Sequence, residues 1–88
     1  MSVSAPPLHY DLKGLKCPLP VLKTRKRLAA LAPGDELQIE TTDPLAGIDI
    51  PHFCQQEGHT VLAMERTETG HRFLIRRADQ LKPETDPF

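Results

Sequence analysis

Pro18 and Pro20 stand directly ahead of a run with helical spacing, VLKTRKRLAALA. Proline lacks the backbone N–H and clashes inside a helix, so both can be accommodated only where a helix begins. The first four N–H groups of a helix have no intrahelical partner. With Cys17 as N-cap, Pro18 is N1 and Pro20 is N3, and neither removes a bond the helix would have made. Pro18 also pushes Cys17 towards the extended geometry a cap requires. The segment therefore predicts a helix opening on a cysteine.

The pattern on either side of this start sets the architecture. LHYDL places Leu8, Tyr10 and Leu12 at every second position, the mark of a half-buried strand. In the helix, Pro18, Val21, Leu22, Leu28, Ala29 and Ala32 share a face with Arg25, whose stem is expected to lie along it. Pro33 and Gly34 end the helix. ELQIETT reads as a second strand through Leu37 and Ile39. Asp43-Pro44 and Asp49-Ile50-Pro51 both resemble helix starts, an acidic cap followed by proline. A short turn over Pro44 to Gly47 is expected, then a helix from about Asp49 to Glu57 with Ile50, Phe53 and Cys54 on one face and Gly58 as C-cap. TVLAMERT and RFLIRR are strands joined by a hairpin at ETGH.

The order is strand, helix, strand, helix, strand, strand. Right-handed crossovers put both helices on one face of a single sheet. The expected fold class is α/β: a two-layer βαβαββ sandwich with a four-stranded mixed sheet, its other face open to water. The domain is expected over residues 8–78, with flexible termini at 1–7 and 79–88 that are short, polar and proline-bearing.

Composition narrows the function. Three Phe, one Tyr and no Trp supply no platform for stacking bases. The net charge is -1, yet Lys13, Lys16, Lys23, Arg25, Lys26 and Arg27 cluster around Cys17 with no acid among them. That run is either a solvated helix face or a docking patch for an acidic partner surface. Stable nucleic-acid or membrane binding is not expected, and neither is a metal. Two cysteines 37 positions apart form neither a CxxC pair nor a secreted disulfide framework, and the N-terminus has no signal-peptide core. A cytoplasmic monomer with free thiols is expected.

A cysteine capping a helix faces the positive end of the dipole, where a thiolate is stabilised. Lys13, Lys16 and Lys23 add positive field, so the expected pKa lies below the free value of about 8.5. The prolines delete two nearby amides, leaving Leu19 as the main early donor and moderating the effect. Gly14 lets the approach loop turn tightly and leaves the sulfur accessible. The alternative is a passive cap or a small buried hydrophobe. His9, His52, His59 and His71 are scattered without a partner pattern, so no base of the thiol-protease kind is evident; His52 and His59 read as surface or helix-end residues. A lone accessible sulfur with neither base nor second thiol is suited to carrying a persulfide. Asp43 and Asp49 read as caps rather than acids. Cys54 reads as a core residue, with a second sulfur stop or resolving thiol as the other option.

DLKGLKCPLPVLKTRKRL and DPLAGIDIPHFCQQEGH together resemble the TusA/SirA-like sulfur carriers, and the second segment resembles the TusA branch. The similarity runs from about Tyr10 to Arg77. It implies a βαβαββ fold and a sulfurtransferase in which Cys17 accepts persulfide sulfur from a cysteine desulfurase and passes it to a sulfur-accepting protein. It implies no cofactor beyond the covalent persulfide. The best-known branch feeds 2-thiouridine synthesis at the tRNA wobble position; others serve sulfur oxidation or molybdenum-cofactor assembly. Two further readings remain: a regulatory interaction module in which Cys17 is incidental, and direct tRNA binding by the basic patch, which the scarcity of aromatics weakens.

Overall fold

The computed structural model describes residues 8–78, so both terminal segments expected to be flexible lie outside the described residues. The chain runs β1 (Leu8–Leu12), α1 (Leu19–Ala29), β2 (Glu36–Thr41), α2 (Ala46–Glu57), β3 (Thr60–Arg66) and β4 (His71–Arg76). One sheet has the order β1-β2-β4-β3. β1 and β2 are parallel, while β4 is antiparallel to both β2 and β3. The predicted order of elements and the mixed four-stranded α/β sandwich are therefore found.

Alternation along the strands builds the core. Leu12, Leu37, Ile39, Phe73 and Ile75 point from the sheet to meet Leu28 of α1 and Ala46, Ile50, Phe53 and Cys54 of α2. On the other face, Glu40 of β2 pairs with Arg72 of β4 at 3.6 Å, and Arg72 with Glu65 of β3 at 3.6 Å. These side chains stay wet, so each pair contributes at most about 1 kcal/mol. Edge strand β3 carries an irregularity between Val61 and Ala63, a device that discourages pairing with other chains.

Three details depart from the periodicity. The buried stripe of α1 is Pro20, Thr24 and Leu28, with Val21 and Leu31 beside it, whereas Leu22 is 48% exposed and Pro18, Ala29 and Ala32 are exposed. The helix starts one residue later than expected, and Thr24 turns inward as a β-branched side chain of core size. Arg25 is placed by this shift at the seam between the helices, its guanidinium 5.4 Å from the Phe53 ring centre and 4.0 Å from the Glu57 carboxylate.

Second, α2 begins at Ala46 rather than Asp49, so Pro51 sits within the helix and not in its first turn. Ala46 is buried, and its packing extends the helix backwards through the segment expected to be a separate turn. Gly58 closes α2 as expected. Third, the hairpin turn is Thr67 to Gly70, one residue earlier than ETGH. The Thr67 N–H donates to the Gly70 carbonyl at 2.8 Å, and the Gly70 N–H to Thr67 Oγ1 at 2.9 Å. A Cβ on Gly70 would run into the Thr41 carbonyl, so the turn needs glycine for space.

Candidate functional site

Because β1 and β2 are parallel neighbours, the connections leaving their C-terminal ends emerge side by side, the usual place for a site in such a sheet. The first connection turns at Gly14, whose φ of +88° favours glycine. Its N–H donates to Thr42 Oγ1 of the second connection at 2.9 Å. Three residues on, the Cys17 N–H donates to Asp43 Oδ2 at 2.8 Å. The other Asp43 oxygen accepts the Leu45 N–H at 3.3 Å, which shapes the entry to α2. A cleft of about 420 Å³ opens here, lined by Gly14, Lys16, Thr42, Asp43 and Pro44.

Cys17 itself is exposed. It is not the helix cap: Pro18 occupies that position, with no side-chain cap bond, and Pro20 lies in the first turn. The Leu19 amide, expected to serve the sulfur, donates instead to the Lys16 carbonyl at 2.9 Å. The thiol reaches α2. There Sγ donates to Asp49 Oδ2 at 3.3 Å.

The electrostatic consequence reverses the expectation. The hydrogen bond to Asp49 comes first in holding the Cys17 thiol above its ordinary pKa, followed by partial desolvation and the negative charges of Asp49 and Asp43. A thiol that donates to a carboxylate is stabilised in its protonated form.

The six cations expected to dock a partner do not form one cluster. Lys13 reaches Asp11 at 3.1 Å and Glu40 at 4.0 Å, and Arg25 occupies the interhelical seam. Lys16 lines the cleft beside Cys17. Lys23, Lys26 and Arg27 gather with Tyr10 and Ala30 around a second cleft of about 320 Å³, with the Arg27 guanidinium 4.3 Å from the Tyr10 ring centre. Exposed apolar side chains stand on both connections: Leu19 follows the cysteine, and Leu45 and Ile48 stand on the turn that carries Asp49, Ile48 being 70% exposed.

The remaining candidates are placed as follows. Cys54 is buried in the core, and burial pushes its thiol up to about 12. His52 is exposed, but His59 is buried at the end of α2, where its Nδ1 accepts the Ala78 N–H at 2.9 Å. Among the described residues no histidine hydrogen-bonds Cys17, and no group of three or more His, Cys, Asp or Glu could hold a metal ion.

Asp43 and Asp49 are thus the residues that sequence reasoning missed as neighbours of the sulfur, having read both as helix caps. A signal existed. Adjacent parallel strands bring the starts of the two following helices together, so acids opening the second helix lie near a cysteine opening the first.

The arrangement is an exposed thiol on a loop braced by a carboxylate, able to form and break bonds to sulfur at the protein surface. The model of the family described as sulfurtransferase TusA matches residues 9–77, which include all of the site and nearly all of the described fold. The chain belongs to the TusA sulfurtransferase family.

Proposed function

We propose that the protein is a persulfide carrier that loads sulfur on Cys17 from a cysteine desulfurase and hands it to an acceptor protein in the relay leading to tRNA wobble 2-thiouridine. The observation that carries this reading is the setting of Cys17 within a TusA family chain: an exposed sulfur, with the second thiol buried in the core. Loading needs no cofactor. Sγ attacks the outer sulfur of the donor persulfide, the donor S–S bond breaks as the new one forms, and the donor sulfur leaves as a thiol with the Cys17 proton. The sulfane sulfur moves without net oxidation or reduction.

The exposed apolar side chains of Leu19, Leu45 and Ile48 suit a partner that covers the sulfur during transfer. Lys16 and the Lys23, Lys26 and Arg27 group suit acidic side chains at the edge of that contact. The Asp49-Ile50-Pro51-His52-Phe53-Cys54 segment supports the thiouridine branch over the other acceptors. The carrier works in a reducing compartment such as the cytoplasm, where both cysteines stay free.

Incubation with a cysteine desulfurase and cysteine tests the reading. Mass spectrometry is expected to find the peptide containing Cys17 heavier by one or more sulfur atoms, and Cys17→Ser to abolish the gain. Uptake that survives in Cys17→Ser would overturn the assignment. Thiolation of tRNA in a reconstituted relay then tests the acceptor branch.

A further inference from the structure

We propose that Asp49 is a positioning residue that keeps the proton on the unloaded Cys17 thiol, so that the sulfur stays a guarded nucleophile until a donor is in place. The geometry carries the inference. Sγ donates to Asp49 Oδ2 at 3.3 Å, and Asp43 fixes the approach by accepting the Cys17 N–H at 2.8 Å. The sulfur is therefore aimed at α2 by one carboxylate and met there by a second.

The charged groups placed beside the sulfur are Lys16 on its own loop, Asp43 in the β2–α2 connection and Asp49 on α2. Those that act on the sulfur are the two carboxylates, Asp49 foremost, and both favour the neutral thiol. An exposed thiol would otherwise be open to alkylation and oxidation between loads, since the thiolate is the reactive form. As Sγ bonds to the incoming sulfane sulfur and the donor S–S bond breaks, the Cys17 proton leaves with the donor sulfur as a thiol, so neither atoms nor electrons are left over.

This role rests on the carrier reading only in the loading step, so two measurements separate them. The first uses no sulfur: iodoacetamide labelling of Cys17, followed peptide by peptide across pH, in the full chain and in Asp49→Asn. Loss of the negative acceptor is expected to move the labelling profile to lower pH and raise the rate at pH 7 roughly threefold, the gain in thiolate being partly offset by its weaker nucleophilicity. Asp49→Glu is expected to restore most of the original profile, which a merely structural role would not require. Coincident profiles for the original chain and Asp49→Asn would overturn the proposal; Asp49→Ser serves the same comparison if the first variant fails to fold. The second measurement loads both proteins with inorganic polysulfide, and Asp49→Asn is expected to load faster at pH 7. A shifted labelling profile without any loading in either protein would leave the guarding role standing and remove the carrier reading. Loading with unshifted labelling would do the reverse.

Discussion

The Asp43 carboxylate spans two connections, accepting the N–H of Cys17 from 26 residues away at 2.8 Å and that of Leu45 from its own loop at 3.3 Å. Asp43 is only 8% exposed, so its charge is compensated chiefly by these donors. Asp43→Ala is expected to lower stability by about 1–3 kcal/mol, the range for losing hydrogen bonds to a charged, largely buried acceptor. Asp43→Asn, which keeps one oxygen, is expected to fall between. Urea unfolding of the three proteins checks this, and an unchanged midpoint for Asp43→Ala would show the brace to be idle.

Ile48 is 70% exposed on the turn that carries Asp49. Ile48→Ser is expected to change stability by less than about 0.5 kcal/mol, as exposed positions usually do. Loading from a desulfurase is expected to weaken about fivefold or more if Ile48 is an anchor of that contact. Loading from polysulfide, which needs no docking, is expected to be unchanged. Equal losses with both donors would place the defect at the sulfur instead of the interface.

His59 is buried against Phe53, with ring centres 5.6 Å apart, and burial holds its pKa below the ordinary 6.5. Above that value neither the folded nor the unfolded chain protonates this ring, and its contribution to stability is complete. As pH falls below it, the unfolded chain takes up a proton that the folded one resists, so stability is lost. His59→Asn, whose Oδ1 can still accept the Ala78 N–H, is expected to flatten the decline between about pH 7 and about pH 5. Parallel slopes in urea titrations at those pH values would exclude His59 as the sensor.

Gly70 packs on the backbone of Thr41 and Thr42, where an added methyl has no flexible side chain to displace. Gly70→Ala is expected to cost about 1–3 kcal/mol through forced backbone movement at the hairpin. A thermal unfolding midpoint within a degree of the original would refute it.

Much of the fold was legible because its signals are local. Alternation in LHYDL and ELQIETT, the prolines ahead of α1 and Gly58 after α2 act within a few residues; the two strands and the end of α2 appear where those signals put them, and α1 starts within a residue of its own. The misplacements have physical causes of longer range. The α1 stripe moved because Pro20 and Thr24 found room against the sheet, while Leu22 was left outside. The start of α2 moved because Ala46 was needed in the core. Arg25, which the pattern set on an apolar face, is explained by a Phe53 ring and a Glu57 carboxylate on another helix.

The sequence by itself determined that a cysteine stands at the opening of a helix, followed by two prolines and flanked by lysines. It thereby determined that the thiol is accessible and that no dithiol partner is near in the chain. The charge that governs the thiol was decided only by tertiary structure. Pro18 takes the cap position in place of Cys17, and parallel pairing of β1 with β2 delivers Asp43 and Asp49 from 26 and 32 residues away. Electrostatic interaction depends on distance through space, not along the chain, so nearby carboxylates override lysines that are closer in sequence. The helix opening names the reactive atom, and the neighbouring helix sets its protonation.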